Sequence, residues 1–417
     1  MKLDLRLLVF LLLSSSVYSQ TVVKLQWQDH KKNKLSYLNT LIELEVGQQL
    51  DSTLLERDMI RLRREPGIAH AYYQVYEQDN GVRVVYGLQE NWTIIPYVNF
   101  YTTNDDEFAY RLGVTEFNLL GRGIAAGVFY QKDIFDSYGI NIRAPILFSK
   151  HLGLAIGYQD FTTREPVFLS NGVADYKYNN TSYELSLLYQ INLRHRVAVG
   201  YSFFNEDYEY LRGATQNGIP QDLDVDKSLV KGIYEYNGLD NYYQYISGFR
   251  SIFNAQYVIS TDSALPDFII ARNDFLYFTR VGEKGNWANR LRLGLASNDD
   301  SPFAPFAVDN NLNIRGVGNT IDRGTGAIVL NTEYRHTAWE RDWFVLQTNV
   351  FVDAGSWRNP GGRFSDFGSR QNIRVYPGLG LRFIHKQIFN TVFRIDYGVG
   401  VTQDSTQGFV FGIGQYF

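Results

Sequence analysis

The alternation of apolar and polar residues from residue 93 to residue 417 constrains this chain more than any other feature. A period of two places successive side chains on opposite faces of a β-strand, so each alternating segment predicts a strand. An even number of strands of about 10 residues is typical of a closed bacterial membrane barrel. The sixteen segments are 93–103, 107–118, 123–132, 138–148, 152–161, 182–191, 196–210, 228–236, 243–259, 267–281, 287–297, 325–337, 343–355, 373–385, 388–402 and 408–417.

The connections between these segments favour the same fold, because they alternate in length. The long connections are 162–181, 211–227, 298–324 and 356–372, and the others have two to seven residues. Every long connection falls at the same end of the strands, as in an outer-membrane barrel that exposes its long loops outside the cell. The sequence therefore predicts an all-β 16-stranded antiparallel transmembrane barrel over residues 92–417.

Because side chains alternate between the two faces of a strand, every second residue of the last strands can be assigned to the inner face, and these residues are rich in charge. A polar interior implies a lumen filled by water or by a plug. This wall is expected to be electropositive, which favours anions in a pore. The alternatives are that the arginines pair with the acidic segments 205–209 and 222–226, or that they are solvated in the lumen. The inward positions include Arg290, Arg292, Arg335, Arg374, Arg382 and Arg394, against Glu333, Asp353 and Asp396.

Composition limits the chemistry that the chain can perform. It contains no Cys, which excludes disulfides and thiolate metal sites, and its net charge of −4 argues against a nucleic-acid partner. No Gly-x-Ser-x-Gly motif occurs, and the six His residues suggest no Ser/His/Asp set. We therefore expect no enzymatic activity, no cofactor and no metal site.

The N-terminal part has a different pattern. Lys2 and Arg6 precede the apolar run 7–13 and a stretch of small residues, which predicts a secretory signal peptide over residues 1–19. Residues 20–91 then indicate a small α+β domain, with a strand at 22–28, helices at 35–44 and 52–64, and a hairpin of 71–77 and 82–89 around Asn80-Gly81.

Four motifs give the chain a family resemblance. They are the Glu65-Pro66-Gly67 stretch after the second helix, the Glu116 to Gly123 turn, the Ile314-Arg315-Gly316 loop motif, and the Phe351-Val352-Asp353-Ala354-Gly355 strand motif. On these the chain resembles the BamA/TamA-type superfamily of outer-membrane proteins, including surface-antigen-like members. The resemblance implies an α+β periplasmic POTRA domain at 20–91, followed by the barrel. An unrelated α+β module remains the alternative for residues 20–91.

The same resemblance assigns a role to the loop motif. It implies that Ile314, Arg315 and Gly316 form a loop tip inside the barrel and that Arg315 bonds wall carboxylates, with Glu333 and Asp353 at the matching positions. Phe351 and Gly355 belong to the strand motif on which the tip docks. The family usually has an aromatic residue after Arg-Gly, where this chain has Val317. The alternative is a solvated extracellular loop.

The final strand suggests a second functional feature. Gly408, Gly412 and Gly414 share the predicted inner face with Tyr416, and glycine weakens a strand. In the resembling insertases, a seam between the first and last strands opens and templates client strands. We expect that seam here at 93–103 against 408–417, including Phe417. The alternative is that these glycines, and a final Phe417, are ordinary features of outer-membrane barrels.

The resemblance thus implies an outer-membrane protein assembly or translocation factor that inserts or exports client polypeptides. Its expected partners are client outer-membrane or secreted polypeptides, outer-membrane lipids, and accessory periplasmic or lipoprotein subunits. Clients are expected to add as strands to the exposed edge of residues 82–89. The alternatives are a polypeptide secretion pore of two-partner type and a closed structural or porin-like barrel.

Overall fold

The computed structural model describes residues 20–102, 108–242, 244–262, 265–298, 306–307, 313–318, 323–386, 388, 391–403 and 405–417. The predicted signal peptide at 1–19 lies outside these residues. The chain divides into two compact units, one ending at Glu90 and the other beginning at Asn91. Among the described residues, no helix is both long enough and apolar enough to cross a membrane.

The first unit is a three-stranded sheet packed against two helices. Its order is β1 (Val22–Gln28), α1 (Leu35–Leu41), α2 (Ser52–Arg63), β2 (Ile68–Gln78) and β3 (Gly81–Glu90). Helix α2 begins after Asp51, whose side chain accepts a hydrogen bond from the Thr53 amide at 2.7 Å and so caps a free N–H group. The helices bury Leu38, Leu41, Leu55, Met59 and Leu62 against the sheet.

The sheet order corrects one expectation from the sequence. Strand β3 lies between β1 and β2, parallel to β1 and antiparallel to β2. The segment 82–89, expected to offer an exposed edge, is therefore the central strand. The almost continuous burial from Val84 to Leu88 is typical of a strand covered on both faces. The outer strands of the sheet are β1 and β2, and the segment 47–50 bonds to the start of β1.

The second unit is the barrel, and its sixteen antiparallel strands confirm the number that alternation predicts. A three-residue strand, β12 (Asp240–Tyr242), pairs with the start of β13 and is not counted among the sixteen. The wall strands are β4 (Ile94–Thr102), β5 (Phe108–Leu119), β6 (Ile124–Lys132), β7 (Asp136–Ala144), β8 (Leu152–Leu169), β9 (Gly172–Gln190), β10 (His195–Gly213), β11 (Asp222–Asn237), β13 (Tyr245–Ser260), β14 (Phe268–Val281), β15 (Gly285–Ala296), β18 (Gly326–Glu340), β19 (Phe344–Arg358), β20 (Ile373–His385), β21 (Val392–Val399) and β22 (Gln407–Ile413).

The seam between the last and first strands differs from the rest of the wall. Strand β22 adjoins β4 and completes the circle. Each of the other fifteen neighbouring pairs has a residue-by-residue register. Within the described part of the chain, β22 and β4 have no such register. The barrel is therefore nearly closed, with the discontinuity between its last and first strands.

Three strand limits, the end of β8, the start of β9 and the end of β22, differ from the predicted ones for identifiable reasons. The expected long loop at 162–181 is instead a pair of strands, β8 and β9, that meet at a turn of residues 170–171. Alternation continues there, but the exposed residues are so polar that the segment resembles a loop in sequence. Its apolar face is buried as a small cluster of Val167, Ala174, Tyr176 and Tyr208. At the other end, β22 stops at Ile413 because Gly414 takes a φ of +90°.

Candidate functional site

The loop between β15 and β18 carries the candidate site at its tip, residues 313–318. Its outer part includes a short ribbon of β16 (Phe306–Ala307) and β17 (Arg323–Gly324). The tip is buried by apolar contacts, because Ile314 and Val317 pack with Ala327, Val329, Trp357 and Tyr376. Val317 is 2% exposed. Aromatic packing of the tip is thus supplied by the wall and not by residue 317.

Arg315 lies inside the barrel and is fully buried. Its Nε and Nη2 atoms donate to the two carboxylate oxygens of Asp353 at 2.8 and 2.9 Å, and its backbone amide donates to the same carboxylate at 3.0 Å. Its Nη1 atom donates to Glu333 at 2.5 Å and lies 3.6 Å from an oxygen of Asp396. A planar guanidinium that meets a carboxylate with two parallel bonds is held in both position and orientation.

Two aromatic rings also contact the Arg315 guanidinium. Its central carbon lies 3.6 Å from the ring centroid of Phe351 and 4.3 Å from that of Tyr416. Cation–π attraction is stronger in a desolvated site than at a surface. The rings therefore add to the ion pairs and exclude water from them.

The wall carboxylates are shared with wall arginines. Glu333 binds Arg335 and also Arg382 at 3.2 Å. Asp396 binds Arg382 at 2.7 Å and Arg394 at 3.3 Å. These three arginines thus pair with the wall's own carboxylates and not with the acidic segments 205–209 and 222–226, where Glu206 binds Lys227.

In the ion-pair network around the tip, the charges of the wall residues balance without Arg315. Three wall arginines face three wall carboxylates, and Arg315 adds a fourth positive charge. Within the described chain, the Nη1 and Nη2 atoms of buried Arg335 have no hydrogen-bond partner. If the tip left, Glu333 and Asp353 would both lose Arg315, but Glu333 and Asp396 would keep wall arginines and Asp353 would keep none of these three. The tip is therefore held by ion pairs of its own, while two of the three wall carboxylates also have partners on the wall.

The backbone of the tip fits closely against the last two strands. Gly316 has a φ of +89°, and a Cβ atom there would lie 2.6 Å from the carbonyl oxygen of Gly398. On the other side, the Thr406 hydroxyl donates to the Val317 carbonyl at 2.9 Å. Only glycine satisfies both the conformation and the space at position 316.

The structure places the other predicted site residues as follows. Gly355 is the next inward-facing residue of β19 after Asp353, and it is in register with Val329 of β18 and Arg374 of β20. Gly408 lies on the inner face of β22 below Gly316, and Gly412 lies against the guanidinium of Arg394. Gly414 lies beyond the strand. Phe417, expected at the seam, instead packs against Phe278 of β14, because the chain turns inward at Gly414.

Sequence reasoning does not place four residues in the tip site. Asp396 is predicted on the inner face, but its proximity to Arg315 depends on the register of β20 with β21. Gly398 and Thr406 contact the backbone of the tip, for which the sequence offers no pattern. Tyr416 reaches Arg315 only because of the turn at Gly414. Within the described chain, no group of three or more His, Asp or Glu residues could hold a metal ion.

A sixteen-stranded antiparallel barrel with a long loop docked on charged wall residues defines an outer-membrane type of β-barrel protein. The chain belongs to the Omp85 superfamily, because the Omp85 superfamily domain matches residues 118–417. Membership supports an outer-membrane location and a role in polypeptide insertion or secretion at the level of the family.

Solved structures of similar fold agree with this assignment. BamA from Haemophilus ducreyi lacking POTRA domains 1-3 has a TM-score of 0.58 at 16% identity, over 95% of this chain and 84% of that one. CdiB from Acinetobacter baumannii has a TM-score of 0.61 at 15% identity, over 95% and 74%. CdiB from Escherichia coli has a TM-score of 0.64 at 10% identity, over 95% and 76%. A comparison with curated proteins found no match.

Proposed function

We propose that this protein inserts client polypeptides into the outer membrane, or exports them through it, under the control of the docked loop tip. The observation that carries the proposal is the buried Arg315, which two carboxylates and two rings hold inside an Omp85 barrel. A loop that fills part of the lumen through separable ion pairs is suited to gating. No cofactor is needed, because the folding of the client supplies the free energy.

The first unit is proposed to be a single periplasmic POTRA domain that receives clients. Its β-α-α-β-β order and three-stranded sheet support this role. Strand β2 is a free edge with exposed Val75 and Tyr76, so an extended client segment can pair with its backbone. This edge replaces the one expected at 82–89. A crosslinker at residue 75, compared with one at residue 86 in the central strand, tests the choice.

The seam is proposed to be where clients leave the barrel. Strand β22 has seven residues, two of which are glycines, Gly408 and Gly412, and Gly414 follows its end. The lack of a β22–β4 register among the described residues makes this pairing the easiest one to open. An opened edge offers unpaired N–H and C=O groups to an incoming strand.

Insertion is tested by reconstitution. The protein is placed in liposomes, an unfolded barrel client is added, and the folding rate is followed by heat-dependent gel migration. The expected result is faster folding than in empty liposomes and in liposomes that contain an unrelated barrel. Equal rates in all three would refute insertion.

A secretion pore is the second candidate, supported by the similar fold of two CdiB barrels. In this case the client crosses the lumen after the tip withdraws. Planar-bilayer conductance distinguishes the two. A pore predicts a larger current for Arg315→Ala than for the native chain, whereas exit through the seam predicts little change. A closed structural barrel would show neither effect and no acceleration of client folding.

A further inference from the structure

The final residues of the sequence leave the barrel wall and turn into the lumen. Residues 414–417, called the strap here, follow the end of β22 at Ile413. Gly414 has a φ of +90°, a conformation that residues with side chains rarely adopt, and it redirects the chain inward. Tyr416 is buried, and the Phe417 ring lies 6.4 Å from the ring of Phe278. The strap thus connects the seam strand to β14 through the lumen.

Phe417 occupies a defined seat on the opposite wall. The seat is an apolar cluster of Leu276, Phe278 and Ala288, against which Phe417 packs. The guanidinium carbons of Arg290 and Arg335 lie 5.4 and 5.7 Å from the Phe417 ring centroid. The partly buried ring packs on apolar side chains and faces two guanidinium groups, so both contacts hold it.

Tyr416 joins the strap to the loop tip. Its ring centroid lies 4.3 Å from the central guanidinium carbon of Arg315 and 4.9 Å from that of Arg394. Arg315 is therefore covered by Phe351 of β19 and by Tyr416 of the strap. Just before β22, Thr406 donates hydrogen bonds to the carbonyl oxygens of Gly316 and Val317, at 3.4 and 2.9 Å. The segment 406–417 thus contacts the tip at two separate points.

We propose that the strap and the loop tip form one latch, so that seating of Tyr416 and Phe417 in the lumen and docking of Arg315 stabilise each other. Strand β22 cannot swing outward at the seam without removing Tyr416 from Arg315. The tip cannot withdraw without exposing Tyr416. Linkage requires that each event favours the other by the same factor. The latch therefore couples the seam strand to the loop, and it operates without any client.

Single cysteines test the coupling directly, because the native chain has none. Val317→Cys reports undocking of the tip, and Gln415→Cys reports release of the strap, each through its rate of maleimide labelling in the folded, detergent-solubilised protein. In the first reporter, Tyr416→Leu removes the ring but keeps apolar bulk. We expect labelling at residue 317 to rise about tenfold, which corresponds to about 1.4 kcal/mol. Tyr416→Phe keeps the ring and is expected to restore slow labelling.

The reciprocal experiment guards against a folding defect in the strap variants. Arg315→Lys leaves the strap sequence intact and is expected to raise labelling at residue 415 several-fold in the Gln415→Cys reporter. A control cysteine at exposed Asp79 reports general effects and is expected to react at one rate in all backgrounds. The latch is refuted if Tyr416→Leu leaves labelling at residue 317 within twofold of native. It is equally refuted if Arg315→Lys leaves labelling at residue 415 unchanged. Neither labelling measurement requires a client, so the latch is tested separately from the effect of the protein on client folding.

Discussion

Replacing Arg315 by alanine is the perturbation for which the structure gives the clearest magnitude. The side chain donates three hydrogen bonds to Asp353 and Glu333, all of them buried. Breaking a buried ion pair by removing one partner costs about 3–5 kcal/mol. The lower end applies here, because Glu333 keeps Arg335 and Arg382, whereas Asp353 keeps neither of these two. At about 1.4 kcal/mol per factor of ten, about 3 kcal/mol raises the undocked-to-docked ratio by about a hundredfold.

The assay is maleimide labelling of Val317→Cys, at a position whose native side chain is 2% exposed while the tip is docked. When undocking is fast and reversible, the labelling rate follows the undocked population. We expect about a hundredfold faster labelling for Arg315→Ala and about tenfold for Arg315→Lys, which keeps the charge but not the two parallel bonds. The Asp79→Cys control is expected to stay constant. If Arg315→Ala changed the rate by less than threefold, the ion pairs would not be what holds the tip.

Three further outcomes are expected. Gly316→Ala should undock the tip, because its Cβ would lie 2.6 Å from the Gly398 carbonyl oxygen. Gly318 has a similar φ of +81°, but a Cβ there would have no atom of the described residues within 4 Å. Comparable labelling at residue 317 in Gly316→Ala and Gly318→Ala would therefore contradict the close fit. Tyr86→Phe removes the hydroxyl that donates to buried Asp58 at 2.9 Å, and it should lower the free energy of unfolding of the first unit by about 1–3 kcal/mol. Urea titration of Trp27 fluorescence measures this free energy, and an unchanged value would contradict the role of the hydrogen bond. Burial alone would raise the pKa of Glu90, but amide donors at Asn33, Lys32 and Lys31 outweigh burial and hold that pKa below its ordinary value of 4.5. The stabilisation of the folded state is therefore complete above pH 4.5 and is lost as the pH falls through the folded pKa. Hydrogen exchange at residues 31–33, corrected for intrinsic rates, should show acid-induced loss of protection in the native chain but not in Glu90→Gln.

The strands and the inner face can be predicted because a membrane barrel imposes a strict period of two on the sequence. Lipid and lumen select opposite residue types, so the alternation of odd and even positions along a strand is enough to place Glu333, Phe351 and Asp353 on the inner face. Where this selection ends, prediction fails. In β8 and β9 beyond residue 161, polar residues outnumber the apolar residues of the buried face, and the pattern predicts a loop where the structure has strands.

The lumen site is predictable only in part, for a different reason. Alternation along a strand predicts which face each residue lies on. It does not predict the neighbours of that residue across the lumen, because they depend on register, strand tilt and loop path. The strap illustrates this, because alternation continues the last strand through Tyr416 and Phe417, and the sequence does not reveal the positive φ of Gly414. The central position of β3 escapes prediction because its parallel pairing with β1 joins segments far apart in sequence.

The central claim is that release of the docked tip controls what the barrel does to polypeptides, and a reversible lock tests it most directly. The Thr406 side chain donates to the Val317 backbone carbonyl at 2.9 Å, so residues 317 and 406 are adjacent, and a cysteine is placed at each. The doubly substituted protein is reconstituted in liposomes, oxidised to form the disulfide, checked by mass, and assayed for client folding before and after reduction. We expect the oxidised protein to be no faster than empty liposomes, and the reduced protein to recover the native rate. Equal acceleration by the oxidised and reduced forms would contradict the claim.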